Sequence, residues 1–314
     1  MLGRYIINKT LKIGSLCTGY GGLDIAVEAY FGAETAWVSE IDKYACKVID
    51  ARISKPNIGD LKIVNWAEVE PVDIITAGYP CQPFSTAGSR KGKLDERHLW
   101  PYIKQAISTI RPSIVILENV RGHFTLGFRD VLTDLASIGY DVRWTIIRAS
   151  DVGAPHRRER LFILAYLQCA NTDSKRFTLG ENNSGAQRDK RESQSIASQL
   201  VKAITNAASE GLQGRINKGR IPTKYSDIWR RPVPNPLVNG ALNPQFVEYL
   251  MGLPLGYVTD LDLSKSQKLK ILGNGVVPQQ AYRALELLCN INSYPQGLKT
   301  CGQHAQDPLK LSTI

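Results

Sequence analysis

The segment Val72-Asp73-Ile74-Ile75-Thr76-Ala77-Gly78-Tyr79-Pro80-Cys81-Gln82 carries the strongest fold signal in the chain. Its first six residues have the length and composition of a buried parallel strand, and Gly78 and Tyr79 lead into a loop. The thiol of Cys81 therefore follows the carboxyl end of a sheet strand, which is where open α/β folds place their chemistry.

Other apolar runs predict five more strands, and helical patterns lie between most of them. The runs are Leu11–Leu16, Thr35–Ser39, Ile114–Glu118, Val142–Arg148 and Arg160–Ala165. This alternation predicts an α/β fold with a mostly parallel sheet. The loop between the last two runs is too short and too rich in proline and charge for a helical crossover, so we expect that pair to be antiparallel.

Capping residues predict where several helices begin and end. Gly32 should end the first helix in the left-handed conformation, and Asp42 should cap the start of the second. Asn243 and Pro244 form an N-cap followed by proline at the first helical position, and Pro278 should open the final helix.

The composition of the 314-residue chain, 43% hydrophobic, suits one large core with a smaller domain. The N-terminus shows no signal region and no apolar stretch reaches the roughly 18 residues that span a bilayer, so we expect a soluble, cytoplasmic protein. The formal net charge of +10 suits a polyanionic partner. Twelve basic and six acidic residues fall between Ala170 and Arg231, which makes that segment strongly basic.

The six cysteines are scattered without a C-x-x-C pair, and the four histidines do not cluster beside them. This spacing predicts neither a metal site nor a disulfide framework. All cysteines other than Cys81 are expected to be small buried side chains.

A glycine-rich turn, Gly19-Tyr20-Gly21-Gly22, follows the first strand and precedes the first helix. Such a turn lets the backbone approach a nucleotide closely. Glu40 lies about 20 residues further on, at the end of the second strand, where a carboxylate can accept hydrogen bonds from both ribose hydroxyls. This arrangement is common to NAD and S-adenosylmethionine sites, and the absence of G-x-G-x-x-G favours the latter.

Three further motifs complete a recognisable order along the chain. They are Pro80-Cys81-Gln82, Glu118-Asn119-Val120 and Arg158-Glu159-Arg160. With the glycine turn, they resemble the DNA cytosine-5 methyltransferase family of prokaryotic or phage type. The resemblance covers about Lys12 to Ala165 and about Asn243 to Ala281.

The resemblance implies a Rossmann-like class I methyltransferase sheet with a small target-recognition domain. Residues 1–165 and 270–314 would form the catalytic domain, and 166–269 the recognition domain and hinge. The implied activity is site-specific transfer of a methyl group from S-adenosylmethionine to C5 of a cytosine that is flipped out of duplex DNA.

The implied catalytic residues are Cys81, Glu118, Arg158 and Arg160. The Cys81 thiolate would add to cytosine C6, and Glu118, its pKa raised by burial, would donate to N3. Arg158 and Arg160 lie two apart at a strand start, so their side chains should leave the same face. In the family these positions hold cytosine O2 and brace the nucleophile loop; surface pairing with Glu159 is the alternative.

The implied cofactor site uses the glycine turn and residues that follow other strands. Its remaining members are Cys17, Glu40, Ile41, Asp60, Leu61, Pro80, Asn274 and Val276. Asp60 would accept from the adenine amino group, although it could also be only a turn residue after Gly59, and Ile41 and Leu61 would sandwich the ring. Cys17 stands where the family usually has an aromatic residue and Ile41 where it often has Trp, which predicts weaker cofactor binding. His156 replaces a more usual Gln and is assigned no catalytic role.

Duplex DNA is the expected partner, a cognate restriction endonuclease is a further candidate, and a monomer is expected. Three other functions remain open on the sequence. They are a transfer RNA cytosine-5 methyltransferase, a catalytically silent DNA-binding regulator on the same fold, and a dehydrogenase, which the glycine turn and Glu40 alone would permit. The Cys-Phe-Thr triplet associated with the transfer RNA branch is missing.

Overall fold

A computed structural model describes residues 10–80, 99–167 and 221–289. Its main element is a six-stranded sheet with the strand order β2-β1-β3-β4-β6-β5. The strands are β1 Lys12–Leu16, β2 Glu34–Ser39, β3 Ile74–Gly78, β4 Ile114–Val120, β5 Tyr140–Arg148 and β6 Glu159–Leu167. Strands β1 to β4 are parallel, whereas β6 runs antiparallel to both β4 and β5. The predicted mostly parallel sheet with an antiparallel last pair is therefore confirmed.

Eight α-helices accompany the sheet in these residues. They are α1 Gly22–Phe31, α2 Lys43–Arg52, α3 Trp100–Ile110, α4 Phe128–Ser137, α5 Thr223–Ser226, α6 Pro244–Leu250, α7 Lys265–Asn274 and α8 Pro278–Cys289. Apolar side chains of α1 and α8 share one buried cluster with one face of the sheet, and those of α3 and α4 share another with the opposite face. The result is the three-layer α/β architecture that the alternation of elements predicts.

The predicted caps are present. Gly32 ends α1 with φ 62°, and the Asp42 carboxylate accepts from the backbone amides of Tyr44 and Ala45 at the start of α2. Asn243 caps α6 in the same way, and α8 begins at Pro278. The edge strand β5 begins two residues earlier than predicted because an edge position tolerates polar residues that interrupt an apolar run.

A third buried cluster joins the segment 221–269 to the first part of the chain. Tyr225, Leu253 and Val258 pack in it together with Tyr20 and Val48. The described part of the predicted recognition domain and hinge therefore shares a core with the catalytic part. The domain boundaries themselves stay a prediction.

The expectation that all cysteines other than Cys81 are buried is wrong for two of them. Cys289 is buried, but Cys17 and Cys46 are half-buried. Cys17 lies in the wall of a cavity, and the Cys46 sulfur accepts from Asn57 Nδ2 at 3.3 Å. Cys81, Cys169 and Cys301 lie outside the described residues. No helix of the described part is both long and apolar enough to cross a membrane.

Candidate active site

A cavity of about 770 Å³ opens at the carboxyl ends of the four parallel strands. Each strand contributes to its wall where the strand ends: Cys17 after β1, Glu40 after β2, Gly78 in β3 and Glu118 in β4. This is the location that the strand pattern predicts, because parallel strands bring their carboxyl ends to one edge of the sheet.

Most of the predicted site residues line this cavity. They are Cys17, Gly19, Glu40, Ile41, Asp60, Leu61, Pro80, Glu118, Arg158, Arg160 and Asn274. Among the described residues, four predicted members lie outside its lining: Tyr20, Gly21, Gly22 and Val276. Cys81 follows Pro80 in the chain and lies outside the described residues.

Tyr20 packs behind the glycine turn instead of facing the cavity. Its ring is 1% exposed, and its hydroxyl donates to the carbonyl of Val276 at 2.7 Å. A Cβ atom on Gly275 would overlap the Tyr20 ring, and one on Gly22 would overlap the Val276 carbonyl. The glycine turn and the α7–α8 connection therefore pack tightly together, and the cofactor contacts expected of these residues stay a prediction.

The Glu40 carboxylate is fixed by three backbone amides. Oε2 accepts from Gly19 N at 2.9 Å, and Oε1 accepts from Ile41 N at 2.9 Å and Asp42 N at 2.8 Å. These bonds tie the end of β2 to the glycine turn after β1. They leave the carboxylate in the cavity wall with a set orientation, as a ligand contact requires.

The turn that carries Asp60 lies beside the end of β2, because Ser39 Oγ donates to the carbonyl of Gly59 at 2.7 Å. Asp60 Oδ1 accepts from Lys62 N at 2.9 Å, so the turn role that the sequence left open is present, and the residue also lines the cavity. Leu61 is 5% exposed, whereas Ile41 is 66% exposed. Ile41 thus presents an apolar surface to the cavity that nothing among the described residues covers.

Cys17 has an unusual backbone conformation, with φ 54° in the left-handed region. Its amide donates to the carbonyl of Ser39 at 2.9 Å, which ties the turn to the end of β2. Burial raises the pKa of its thiol, and the charges of Glu40 and Asp60 raise it further. The Cys17 side chain is therefore a neutral thiol, which contributes shape and not charge to the cavity.

Glu118 and Arg160 form an ion pair at the other end of the cavity. Arg160 Nε lies 2.8 Å from Glu118 Oε1, and their side chains are 15% and 8% exposed. Burial raises the pKa of the Glu118 carboxyl, while the charges of Arg160 and Arg158 act in the opposite direction, and the net shift is upward. The pair thus holds a carboxyl group that is easier to protonate than an exposed glutamate.

Arg158 points to a different partner. Its Nη1 donates to the carbonyl of Gly273 at 3.0 Å and its Nη2 to that of Gly275 at 2.7 Å. It therefore braces the end of α7, and its expected contact with the nucleophile loop is not among the described ones. The alternative of a surface pair with Glu159 is wrong for both arginines, because the Glu159 carboxylate pairs with Arg121 and Arg148.

Lys270 and Asn119 are among the residues of the cavity wall that the sequence did not assign to the site. Lys270 lines the cavity and its Nζ lies 2.6 Å from Asp42 Oδ2. Asn119 Nδ2 donates to the carbonyl of Tyr79 at 3.1 Å and thereby joins the ends of β3 and β4. Asn119 was visible in its motif, but no local signal marks Lys270.

His156 Nε2 lies 2.8 Å from the Leu250 carbonyl, and burial lowers the pKa of its ring, which suits a neutral structural residue.

The described residues contain no group of three or more His, Cys, Asp or Glu side chains that could hold a metal ion. The cavity wall contains the fixed carboxylate of Glu40 and the exposed apolar side chain of Ile41. It also contains the buried carboxyl of Glu118 beside Arg160. This set suits a nucleoside cofactor at one end and a polar planar substrate at the other.

The fold and the strand-end cavity define a Rossmann-like methyltransferase. The family model for C-5 cytosine-specific DNA methylase matches residues 11–230, and the chain belongs to this family. The Type II methyltransferase M.NgoBI of Neisseria gonorrhoeae is 36% identical over 160 residues, which are 49% of this chain and 50% of that protein. M.HhaI of Haemophilus parahaemolyticus is 31% identical over 172 residues, 53% of this chain and 52% of that protein. The chain thus spans about half the length of the curated relatives it matches.

Solved structures show the same fold at lower identity. The S. pombe Dnmt2 methyltransferase superposes with a TM-score of 0.56 and 18% identity over 88% of this chain and 98% of that one. A putative DNA modification methyltransferase encoded within an E. coli prophage gives a TM-score of 0.55 and 20% identity over 90% and 99%.

Proposed function

We propose that the chain transfers a methyl group from S-adenosylmethionine to C5 of a cytosine in duplex DNA. One observation carries the proposal: a single cavity joins the fixed Glu40 carboxylate to the buried pair Glu118 and Arg160, and Pro80, which precedes Cys81, lies in the same wall. The family of the chain and the names of its Type II relatives support it.

The residues present fit the cofactor. Glu40 faces the cavity with an orientation fixed by three amides, where it can accept from the two ribose hydroxyls. Ile41 and Leu61 offer apolar surface for an adenine ring, and Asp60 offers a carboxylate to its amino group. When bound, S-adenosylmethionine supplies an electrophilic methyl group.

Cytosine C5 is a poor nucleophile, so the chemistry requires a covalent step on the base. The Cys81 thiolate adds to C6, the C5–C6 electron pair becomes available at C5, and N3 takes a proton. After C5 has accepted the methyl group, N3 returns its proton to the Glu118 carboxylate, the C5 hydrogen leaves as a proton to solvent, the C5–C6 double bond forms again, and the thiolate is released.

Glu118 is the proton donor to N3 in this scheme. Burial raises the pKa of its carboxyl despite the neighbouring Arg160, so the protonated form is more accessible than that of an exposed glutamate. Arg160 orients the carboxyl through its Nε and keeps its own charge beside the ring, where negative charge develops.

A base inside a duplex hides C6, so the target cytosine must leave the stack. The basic segment between Ala170 and Arg231 would supply phosphate and groove contacts. We extend the proposal to a monomer that acts on cellular DNA in the cytoplasm, with a restriction endonuclease of the same specificity as a candidate partner.

Bisulfite sequencing of DNA from a methylation-deficient host that expresses the chain tests the proposal. We expect protected cytosines in one sequence context, and none with Cys81→Ser. Cys289→Ala is the matched control, because this thiol is buried at the end of α8 and is absent from the lining of the cavity. Retained protection in Cys81→Ser would refute the covalent mechanism.

Transfer of tritium from labelled S-adenosylmethionine to purified substrates separates the remaining functions. Duplex DNA should accept label and transfer RNA should not. Label in transfer RNA alone would move the activity to RNA. Specific DNA binding without label in either substrate would indicate a silent regulator.

A further inference from the structure

Tyr79, the residue that precedes Pro80, is buried and makes ring contacts and hydrogen bonds, although it lies in a loop. Tyr79 follows β3, two positions before Cys81, and is 5% exposed. Its ring packs on Trp100 with centroids 5.9 Å apart, and edge-on to the His123 ring with centroids 5.7 Å apart and an interplanar angle of 90°.

Both the backbone and the side chain of Tyr79 bond to residues at the end of β4 and in the turn that follows it. Its carbonyl accepts from Asn119 Nδ2 at 3.1 Å, and its hydroxyl lies 3.0 Å from His123 Nε2. Asn119 comes directly after Glu118, and His123 lies in the short 3-10 helix Arg121–Phe124. The residue before the Pro80-Cys81 dipeptide is thus tied at two points to the segment that carries the proposed acid.

His123 has no part in the proposed chemistry, yet it is only 4% exposed. Burial lowers the pKa of its ring, so the imidazole is neutral and shares a hydrogen bond with the tyrosine hydroxyl. A buried polar side chain that faces another buried polar side chain is costly to separate from it, because each would lose its partner without gaining water.

We propose that Tyr79 and His123 are a positioning pair that sets the position of Pro80, the residue before the proposed nucleophile, relative to Glu118. Only Pro80, with its fixed φ, separates Tyr79 from Cys81 in the chain, so a tilt of Tyr79 shifts the backbone from which Cys81 continues. The inference rests on the proposed function. In this proposal the pair controls the distance between the loop of the nucleophile and the acid. A displacement of about 1 Å between reacting groups slows a reaction strongly.

Tyr79→Phe tests the pair because it removes only the hydroxyl and keeps the ring packing. Tyr140→Phe is the matched control: its hydroxyl is also buried and donates to the carbonyl of Pro112 at 2.7 Å, outside the cavity wall. We expect Tyr79→Phe to lower kcat about tenfold while the Kd for S-adenosylmethionine stays within about twofold. Tyr140→Phe should leave kcat within about twofold of the original chain.

His123→Gln is the second variant, and it tests the same pair if Tyr79→Phe does not fold. It should lower kcat about as much as Tyr79→Phe, and the double variant should be no slower than the slower single one, because the two groups act as a unit. Full additivity of the two losses, a kcat within about twofold for Tyr79→Phe, or an equal loss in Tyr140→Phe would each overturn the proposal.

A measurement that needs no DNA tests the positioning pair independently of the proposed methyl transfer. The rate at which iodoacetamide alkylates Cys81, followed by mass spectrometry of its peptide, reports the position and surroundings of the thiol. We expect Tyr79→Phe to change that rate by more than about twofold and Tyr140→Phe to leave it unchanged. If the original chain methylates no DNA, the alkylation rates still decide: a rate within about twofold in Tyr79→Phe would overturn the inference.

Discussion

Glu118 and Arg160 face each other across the antiparallel strands β4 and β6, with Glu118 Oε1 2.8 Å from Arg160 Nε. The register pairs Glu118 with Phe162 and Val120 with Arg160, so the two charged side chains lie on a diagonal of the ladder. Both are largely buried, which makes their mutual contact the main compensation for their removal from water.

Glu118→Gln should remove the proposed proton donor without a change in shape. We expect kcat to fall by about 10² to 10⁴, and the Kd for S-adenosylmethionine to change little. Single-turnover methyl transfer and calorimetry measure the two quantities. Glu159→Gln is the control, since that carboxylate pairs with Arg121 and Arg148 outside the lining of the cavity. A rate within about threefold in Glu118→Gln would rule out its role as the acid.

Arg160→Leu should lower the free energy of unfolding by about 3 kcal/mol, because it leaves the Glu118 carboxyl buried without its cation. The double variant with Glu118→Gln should recover part of that loss, because the second change removes the uncompensated charge. Urea unfolding of the two single variants and the double variant measures the coupling. Simple additivity of the two losses would mean that the pair does not interact.

Asp24 should make stability depend on pH. Its buried carboxyl accepts from Ser15 Oγ at 2.8 Å and Thr76 Oγ1 at 2.5 Å, and burial raises its pKa from 3.8 to about 6. Because the folded state binds this proton more tightly than the unfolded chain does, the contribution is complete below about pH 4 and is lost as the pH rises to about 6.

We therefore expect the original chain to lose about 2 kcal/mol relative to Asp24→Asn between about pH 4.5 and about pH 7. Chemical denaturation of both proteins at about pH 4.5 and about pH 7 measures the difference. Asp227→Asn, at a more exposed carboxylate, is the control. A difference that is the same at the two pH values would show that Asp24 has an ordinary pKa when folded.

Gly275→Ala and Gly273→Ala form a matched pair. A Cβ on Gly275 would overlap the Tyr20 ring, whereas one on Gly273 meets nothing within 4 Å. We expect Gly275→Ala to lower the free energy of unfolding by about 2 kcal/mol through overpacking, and to weaken binding of S-adenosylmethionine because the glycine turn must shift. Gly273→Ala, in the last turn of α7, should be neutral or stabilise by up to about 1 kcal/mol. Thermal unfolding with and without S-adenosylmethionine measures both effects in each variant. Equal changes in the unfolding temperature of Gly275→Ala and Gly273→Ala would contradict the packing argument.

The sequence by itself determined the sheet, the caps and the edge at which the cavity opens. Each of these depends on local information: a run such as Ile74–Gly78 specifies a buried strand, and Asp42 or Gly32 specifies a helix end, whatever the rest of the chain does. The ordered motifs then placed Glu40 and Glu118 at one edge, because parallel strands must end on the same side.

Only the tertiary structure decided what neighbouring side chains contact. Arg158 and Arg160 look equivalent in the sequence, yet Arg160 pairs with Glu118 while Arg158 bonds carbonyls 115 and 117 residues away. Tyr20 stands in a cofactor motif but donates to Val276, 256 residues further on. Such partners depend on how distant segments pack in the folded core. The hydrophobic periodicity and the turn residues of a sequence describe only local structure, so they do not show which distant side chains meet.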